Sequence, residues 1–335
     1  MFKIIQKRKI WLSFSGAMVV LSIIFLALWG LNFGIDFTGG SLLEVEFKDR
    51  PAVNEIQAAL QDLNLGSSII QPIGDRGMIL RFQDISEATH QEVMHRLRDL
   101  VAGSEVEESG EYSADNSAEI ELNSTSSDFT GEVEADNEAA LGLVEELRFD
   151  SVGPTIGEEL KRKSITAIVI VLVAIVLYIA WVFRKVSKPV ASWKYGISAI
   201  IALFHDVMIT LGVFAVLGEF FAVEINAAFV AAILTVLGYS VNDTIVVFDR
   251  VRENLPKSDE DFEGTVNISV NQTIKRSINT SVTTLLVLLS ILFFGGGSIR
   301  DFVLALSIGV FVGTYSSIFL ASPVLVVWES LMRRK

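Results

Sequence analysis

Cysteine is absent from the 335 residues, which excludes disulfides, thiol catalysis and cysteine-based zinc or iron–sulfur sites. No Gly-Lys pair occurs anywhere, so there is no GxxxxGKS/T phosphate loop. Energy-dependent work must then draw on a partner's ATPase or on an ion gradient. Charge is scarce as well: 20% of residues are charged and 51% hydrophobic, whereas a soluble domain carries nearer a quarter charged. The mean hydropathy is +0.49. A net charge of −13 sits oddly with that composition unless the two kinds of residue are segregated along the chain. They are: 28 of the 40 Asp and Glu residues fall between positions 32 and 164. The chain reads as a polytopic membrane protein with one acidic soluble domain.

Six stretches are long and apolar enough to cross a bilayer, for which about 20 residues are needed: 10–31, 165–183, 195–218, 225–248, 277–294 and 302–328. Lys7-Arg8-Lys9 before the first stretch gives it a superficial likeness to a signal peptide. It is too long for an h-region and lacks a small-x-small cleavage site, so it reads as an uncleaved anchor. An even number of spans puts both termini on one side. That side carries four basic residues before span 1, four in 184–194, five in 249–276 and three at the C-terminus. The opposite short loops carry one, Arg300, with Lys161-Arg162-Lys163 a local exception offset by Glu158 and Glu159. By the positive-inside rule both termini are cytoplasmic and 32–164 is extracytoplasmic.

Residues 32–164 read as a small α+β domain. Leu43, Val45 and Phe47 alternate with Glu44 and Glu46 over 41–47, the period of a half-buried strand. Pro51 is expected to open a helix with Val53, Ile56, Leu60 and Leu63 on one face. Strands are predicted at 68–73 and 78–82, joined by Gly74-Asp75-Arg76-Gly77. Ser86 suits the N-cap of a helix carrying Val93, Leu97 and Leu100, and a last strand is expected at 147–152. The order βαββαβ is the ferredoxin-like arrangement. Positions 104–138 hold 12 acidic residues and no Lys or Arg, so a disordered acidic insertion is expected there. His90 and His95 lie five apart with no HExxH and read as surface residues.

Ionisable residues inside spans carry the most information, because a carboxylate at the centre of a membrane helix costs roughly 2.5–3.5 kcal/mol. Two lie well inside: Asp206 after His205 in span 3, and Asp243 within Ser240-Val-Asn242-Asp243-Thr244 in span 4. Asp243 precedes Arg250 by seven residues, about 10 Å of helix. Arg276 opens span 5 from the same side, and antiparallel packing would let it approach Asp243. A low dielectric favours the neutral carboxyl and a nearby guanidinium the charged one, so an Asp whose Arg partner approaches and recedes would gain and lose a proton. His205 and Asp206 point about 100° apart on a helix and are not expected to line one face. Asp206 is either a second proton station or a hydrogen-bonding group for a neighbouring helix. Ala305, Gly309, Gly313, Ser317 and Ala321 form a four-residue stripe that allows close helix approach, to a neighbour in this chain or in a partner.

Several motifs together resemble the SecD/SecF family, and the SecF members within it. They are Gly34-Ile-Asp36-Phe-Thr-Gly39-Gly40 after span 1 and Val152-Gly153-Pro154-Thr-Ile-Gly157 before span 2. Phe204-His205-Asp206 follows in span 3, then Gly238-Tyr-Ser240-Val-Asn242-Asp243-Thr244 in span 4 and Asn271-Gln-Thr-Ile-Lys-Arg276 leading into span 5. The resemblance covers nearly the whole chain; the acidic segment is longer than the outer domain of many SecF members. It implies six transmembrane helices with an α+β ferredoxin-like extracytoplasmic domain, equivalent to half of a resistance-nodulation-division transporter. SecD, as a heteromeric partner, would be the other half. It further implies association with the SecYEG channel and its membrane factors, unfolded preprotein substrates, a cytoplasmic (inner) membrane location among lipid, and no nucleic acid. Asp243 would be the ion-coupling carboxylate, supported by Arg276. No cofactor or bound metal is implied, only H+ or Na+ as the coupling ion. By residue type Ser240, Asn242 and Thr244 could supply oxygen ligands to sodium, but hydroxyls and amides near a protonatable Asp are equally ordinary. A linker at Gly153-Pro154 to Gly157 would pass motion to the outer domain. Two other readings stand beside this one: a small-molecule or lipid exporter of the same superfamily, and a non-energised scaffold subunit. An enzyme is not expected, since no nucleophile–base pair, metal cluster or phosphate loop is present.

Overall fold

A computed structural model of the chain describes residues 2–63, 65–66, 68–108, 143–183 and 192–333. It divides into two compact units, Met1–Gly34 with Leu160–Lys335, and Ile35–Glu159.

In the second unit, strands β1 (Gly40–Phe47), β2 (Ile69–Ile73), β3 (Gly77–Phe82) and β4 (Val144–Val152) form one sheet in the order β2-β3-β1-β4. All three neighbouring pairs are antiparallel. With helices α1 (Val53–Ala59) and α2 (Glu87–Glu108), this is the βαββαβ arrangement expected of the ferredoxin-like fold. Strand alternation makes the core: Leu43, Val45 and Phe47 of β1 and Met78, Leu80 and Phe82 of β3 are buried against Ile56, Val93 and Leu97 of the helices. Helix α1 starts two residues later than Pro51 suggests. Ala52 is its N-cap, and the Glu55 carboxylate accepts from the Ala52 N–H at 3.0 Å. Val53 is exposed, Ile56 and Leu60 are buried, and Leu63, in a separate short turn, packs partly buried against the same core. Ser86 does cap α2, accepting from the Thr89 N–H at 3.3 Å. Helix α2 runs through Glu108, five residues into the predicted acidic insertion; 109–142 lie outside the described residues.

His90 corrects a surface assignment. It is buried, stacked parallel on Phe149 at 3.8 Å, with Nδ1 3.3 Å from Glu87 and Nε2 3.2 Å from Glu146. Helix α2 thus uses an aromatic cation-capable ring to close on β4, whereas His95 is exposed beside Asp99. Gln91 donates to Glu87 at 2.7 Å and, with His90, holds that carboxyl below the ordinary range. That contribution to stability is therefore present at neutral pH and lost as the pH falls through the lowered value. His90→Ala should destabilise this unit by about 2–4 kcal/mol, the cost of emptying a packed aromatic site. The check is limited proteolysis of the full chain over a temperature ramp, with cleavage in 35–159 at a lower temperature than in the wild type.

Glycines at the junctions are there for backbone contact. Gly39 and Gly40 have φ of +74° and +122°, which L side chains rarely adopt. A Cβ on Gly39 would lie 2.7 Å from Pro154 Cα, and one on Gly40 2.7 Å from the Phe82 carbonyl. A Cβ on Gly157 would lie 3.1 Å from the Gly39 nitrogen. Gly153 precedes this helix, and Pro154 is its first residue, the position at which proline's missing N–H is harmless. Residues 154–157 therefore form a packed first turn of the span 2 helix. Asp36 lies half-buried in a single helical turn, Ile35–Thr38.

The first unit holds the membrane helices: span 1 (Arg8–Leu28), the bulk of span 2 (Pro154–Val182), span 3 (Ser192–Phe221), span 4 (Ala227–Asn254) and span 5 (Phe262–Phe294). Span 6 comprises Gly297–Ser316, a π turn at Ser317–Ala321, and Ser322–Arg333. All six are long and apolar enough to cross a membrane. Gly34, in this unit, donates to the Ile225 carbonyl at 2.9 Å. Span 5 begins fifteen residues before the predicted 277, capped by Asp261, which accepts from the Gly264 N–H at 2.8 Å. Its polar first half is too hydrophilic to register as a span, and its polar side chains pair with other chain segments. Asn267 accepts from the Ile4 and Ile5 N–H groups, Asn271 pairs both ways with the Phe2 backbone, and Arg8 meets Glu263 at 2.6 Å.

Candidate functional site

The small-residue stripe of span 6 faces span 4 of the same chain. A Cβ on Gly309 would collide with the Val236 side chain, and one on Gly313 would stand 2.9 Å from Ser240 Cβ. Without side chains there, the two helices approach backbone to backbone. This close approach brings polar groups of spans 3, 4, 5 and 6 into one cluster.

Asp206 is fully buried. Its Oδ2 accepts from Ser240 Oγ of span 4 at 2.5 Å and from Ser316 Oγ of span 6 at 2.8 Å. Its Oδ1 lies 2.9 Å from Nδ1 of His205, so the two neighbours do meet, through the reach of the imidazole around the helix. His205 is itself buried and stacks on Tyr315 at 6.0 Å, whose hydroxyl meets Ser15 of span 1 at 3.2 Å. A carboxylate in an apolar interior is costly unless hydrogen-bonded. Here three donors from three helices satisfy it.

Asp243 is half-buried. Ser277 Oγ of span 5 donates to Oδ1 at 2.6 Å and Ser317 Oγ of span 6 to Oδ2 at 2.9 Å. Arg276, expected as its partner, is exposed, and among the described residues no ion pair joins the two. The reason is helical geometry: consecutive side chains diverge by about 100°, and the rotation of span 5 presents Ser277 to span 4. Ser240 supports Asp206 and not Asp243. Asn242 is exposed and Thr244 buried, and among the described residues neither hydrogen-bonds to either carboxylate.

Ser277, Ser316 and Ser317 were not among the expected site residues. Their signal is faint: hydroxyls are common in membrane helices, and only the adjacency of two serines before Ser322-Pro323 sets span 6 apart. Pro323 has no N–H to give the carbonyl one turn back, and π adjustments and Ser side chains accommodate such breaks in membrane helices. Both coupling candidates thus carry two hydroxyl donors each, and span 6 supplies one to each through adjacent residues. Chemically, such a site can hold a proton or coordinate a small hard cation through oxygen alone.

Comparison with known proteins agrees with this architecture. Residues 132–331 match the family described as "Protein export membrane protein SecD/SecF, C-terminal", and 25–49 match the "SecD/SecF GG Motif". The protein translocase subunit SecF of Thermobaculum terrenum is 40% identical over 98% of this chain and 95% of its own length. That of Haemophilus influenzae is 35% identical over 98% of this chain and 86% of its own. Among solved structures, SecDF from Thermus thermophilus, a translocon-associated membrane protein, is similar with a TM-score of 0.73 and 31% identity. The match covers 98% of this chain but 39% of that one. A SecDF structure in a super-membrane-facing form matches with a TM-score of 0.62 and 29% identity.

Proposed function

The chain belongs to the SecD/SecF family of protein-export membrane proteins, and from that premise we propose that it acts as a SecF-type accessory subunit of the Sec export machinery, drawing on the transmembrane proton or sodium gradient to promote preprotein translocation. The observation that carries this reading is Asp243, a half-buried carboxylate inside span 4 whose partners are two neutral hydroxyls. A structural ion pair would neutralise such a group; one held by hydroxyls alone is suited to exchange a proton or a cation. Asp206, with His205 Nδ1 2.9 Å from its Oδ1, is the second station. Arg276, one residue from Ser277, lies where a rotation of span 5 would exchange it for the serine. One charge moved across 100 mV is worth about 2.3 kcal/mol, enough for a few ions per cycle to bias a chain against back-sliding.

SecD is the proposed partner. The solved SecDF chain is far longer than this one, and exposed Asn242 with half-exposed Asp243 would face lipid unless another membrane surface covered them. The SecYEG channel with its associated factors, unfolded preproteins and membrane lipid complete the proposed surroundings. The distribution of Lys and Arg supports an inner-membrane orientation with cytoplasmic termini.

The test is precursor translocation into membrane vesicles containing or lacking the chain with its SecD partner, with the gradient present or collapsed. A several-fold gain that requires both the chain and the gradient is expected. Collapse by a protonophore or by a sodium ionophore names the ion. A gain that survives loss of both gradients assigns the chain to the scaffold class instead.

A further inference from the structure

Ser316 and Ser317 stand where the α-helix of span 6 gives way to the π turn Ser317–Ala321. Being adjacent, they diverge by about 100° and so reach carboxylates on different helices, Asp206 of span 3 and Asp243 of span 4. Each hydroxyl has a single proton to donate and two acceptors within reach. Ser316 Oγ is 2.8 Å from Asp206 Oδ2 and 3.1 Å from the Gly313 carbonyl. Ser317 Oγ is 2.9 Å from Asp243 Oδ2 and 3.0 Å from the Thr314 carbonyl. In both cases the second acceptor is the backbone three residues back on the serine's own helix.

Which acceptor wins depends on the charge of the carboxyl. A charged carboxylate makes the shorter, stronger bond and draws the serine proton. Once protonated, the carboxyl becomes a donor; its O–H turns to the serine oxygen, and the serine proton turns to the backbone carbonyl. Donors and acceptors balance in both states. Serine bonds to such carbonyls bend helices, and a π turn is a place where helical register is already altered.

We propose that Ser316 and Ser317 are positioning residues for ion coupling: their hydroxyls read the charge on Asp206 and Asp243 and pass it to the π turn of span 6. This rests on the reading of Asp243 as the ion-coupling carboxylate. The groups that face the pair are His205 on span 3, Ser240 on span 4 and Ser277 on span 5, with Tyr315 stacked on His205. Among the described residues no Lys or Arg forms an ion pair with either carboxylate. Asp206 keeps two donors if Ser316 is removed, whereas Asp243 keeps one if Ser317 is removed, so Ser317 is the more sensitive position.

Gradient-driven translocation in vesicles bearing the intact complex, measured as a function of pH, tests this. Ser317→Ala removes a donor to the charged carboxylate and should move the pH profile upward by about one unit with a several-fold lower maximum. Ser317→Thr keeps a hydroxyl and should restore the profile, and Ser316→Ala should shift it less. An unmoved profile in Ser317→Ala overturns the inference while leaving the function intact, provided Asp243→Asn still abolishes gradient dependence. Equal loss in Ala and Thr variants without a pH shift also overturns it, as mere packing. Gradient-driven translocation that survives Asp243→Asn overturns the underlying reading and this inference together. Should Ser317→Ala fail to accumulate, infrared difference spectra of the wild-type complex between high and low pH decide. The protonated carboxyl band must appear together with a shifted amide carbonyl band; the carboxyl band alone overturns the inference.

Discussion

Asp243→Asn should reduce gradient-driven export at least tenfold while leaving the protein in the membrane and bound to its partner. Asparagine has nearly the same shape, and its amide oxygen still accepts from one of Ser277 and Ser317. The other serine can rotate its hydroxyl and accept from the new N–H group, since a hydroxyl both donates and accepts. The packing cost is therefore small, within about 1 kcal/mol. What disappears is the capacity to change charge, which no rearrangement of hydroxyls replaces. Pulse–chase processing of a secreted precursor, with membrane abundance and partner co-purification measured in parallel, separates the two effects. Accumulated precursor with an intact complex places the carboxylate in the working cycle. Normal processing makes Asp243 structural and returns the lead to the scaffold reading. Asp243→Glu is the companion variant: it keeps the charge but lengthens the reach, and partial activity is expected.

Gly309→Val should have the largest effect on the amount of folded protein. Any Cβ at this position overlaps the Cγ atoms of Val236, and two further methyl groups would force spans 4 and 6 apart. Overpacking of this kind costs about 1–3 kcal/mol by itself. Separation would also take Ser317 from Asp243 and one of Ser240 and Ser316 from buried Asp206, and an unsatisfied buried polar group costs about another 1–3 kcal/mol. Membrane abundance should fall several-fold, with faster degradation in a chase. Gly309→Ala with Val236→Ala should recover most of it, because the obstructing atoms are then gone. Gly16→Ala, on span 1 with no atom within 4 Å of the added carbon, should be neutral. If Gly309→Val accumulates normally, the close approach of the two helices is not what assembles the site.

Part of this arrangement was legible in one dimension and part was not. The boundaries of span 5 show the difference. Its apolar half registers in hydropathy, but its polar half does not; there Asn267 and Asn271 bind the backbone of residues 2, 4 and 5, some 260 positions away in the chain. His90 reads as a polar helix residue, and only the pairing of α2 with β4 shows its ring against Phe149. Residues 154–157 look like a hinge because Gly and Pro punctuate them, yet the same residues suit a first helical turn packed on Gly39.

Hydropathy and period-2 alternation are properties of contiguous residues, so the sequence by itself determined six membrane helices, a βαββαβ domain and two carboxylates inside spans. It also determined family membership, through motifs in fixed order. Which side chain meets Asp243 depends instead on the rotation of span 5 and on the separation of spans 4 and 6. Both are decided by packing between distant segments, with Gly309 and Gly313 permitting the approach. Arg276 and Ser277 are neighbours in sequence but diverge by about 100° on the helix. Only the tertiary structure could choose the serine, and only it could bring adjacent Ser316 and Ser317 to two carboxylates on separate helices.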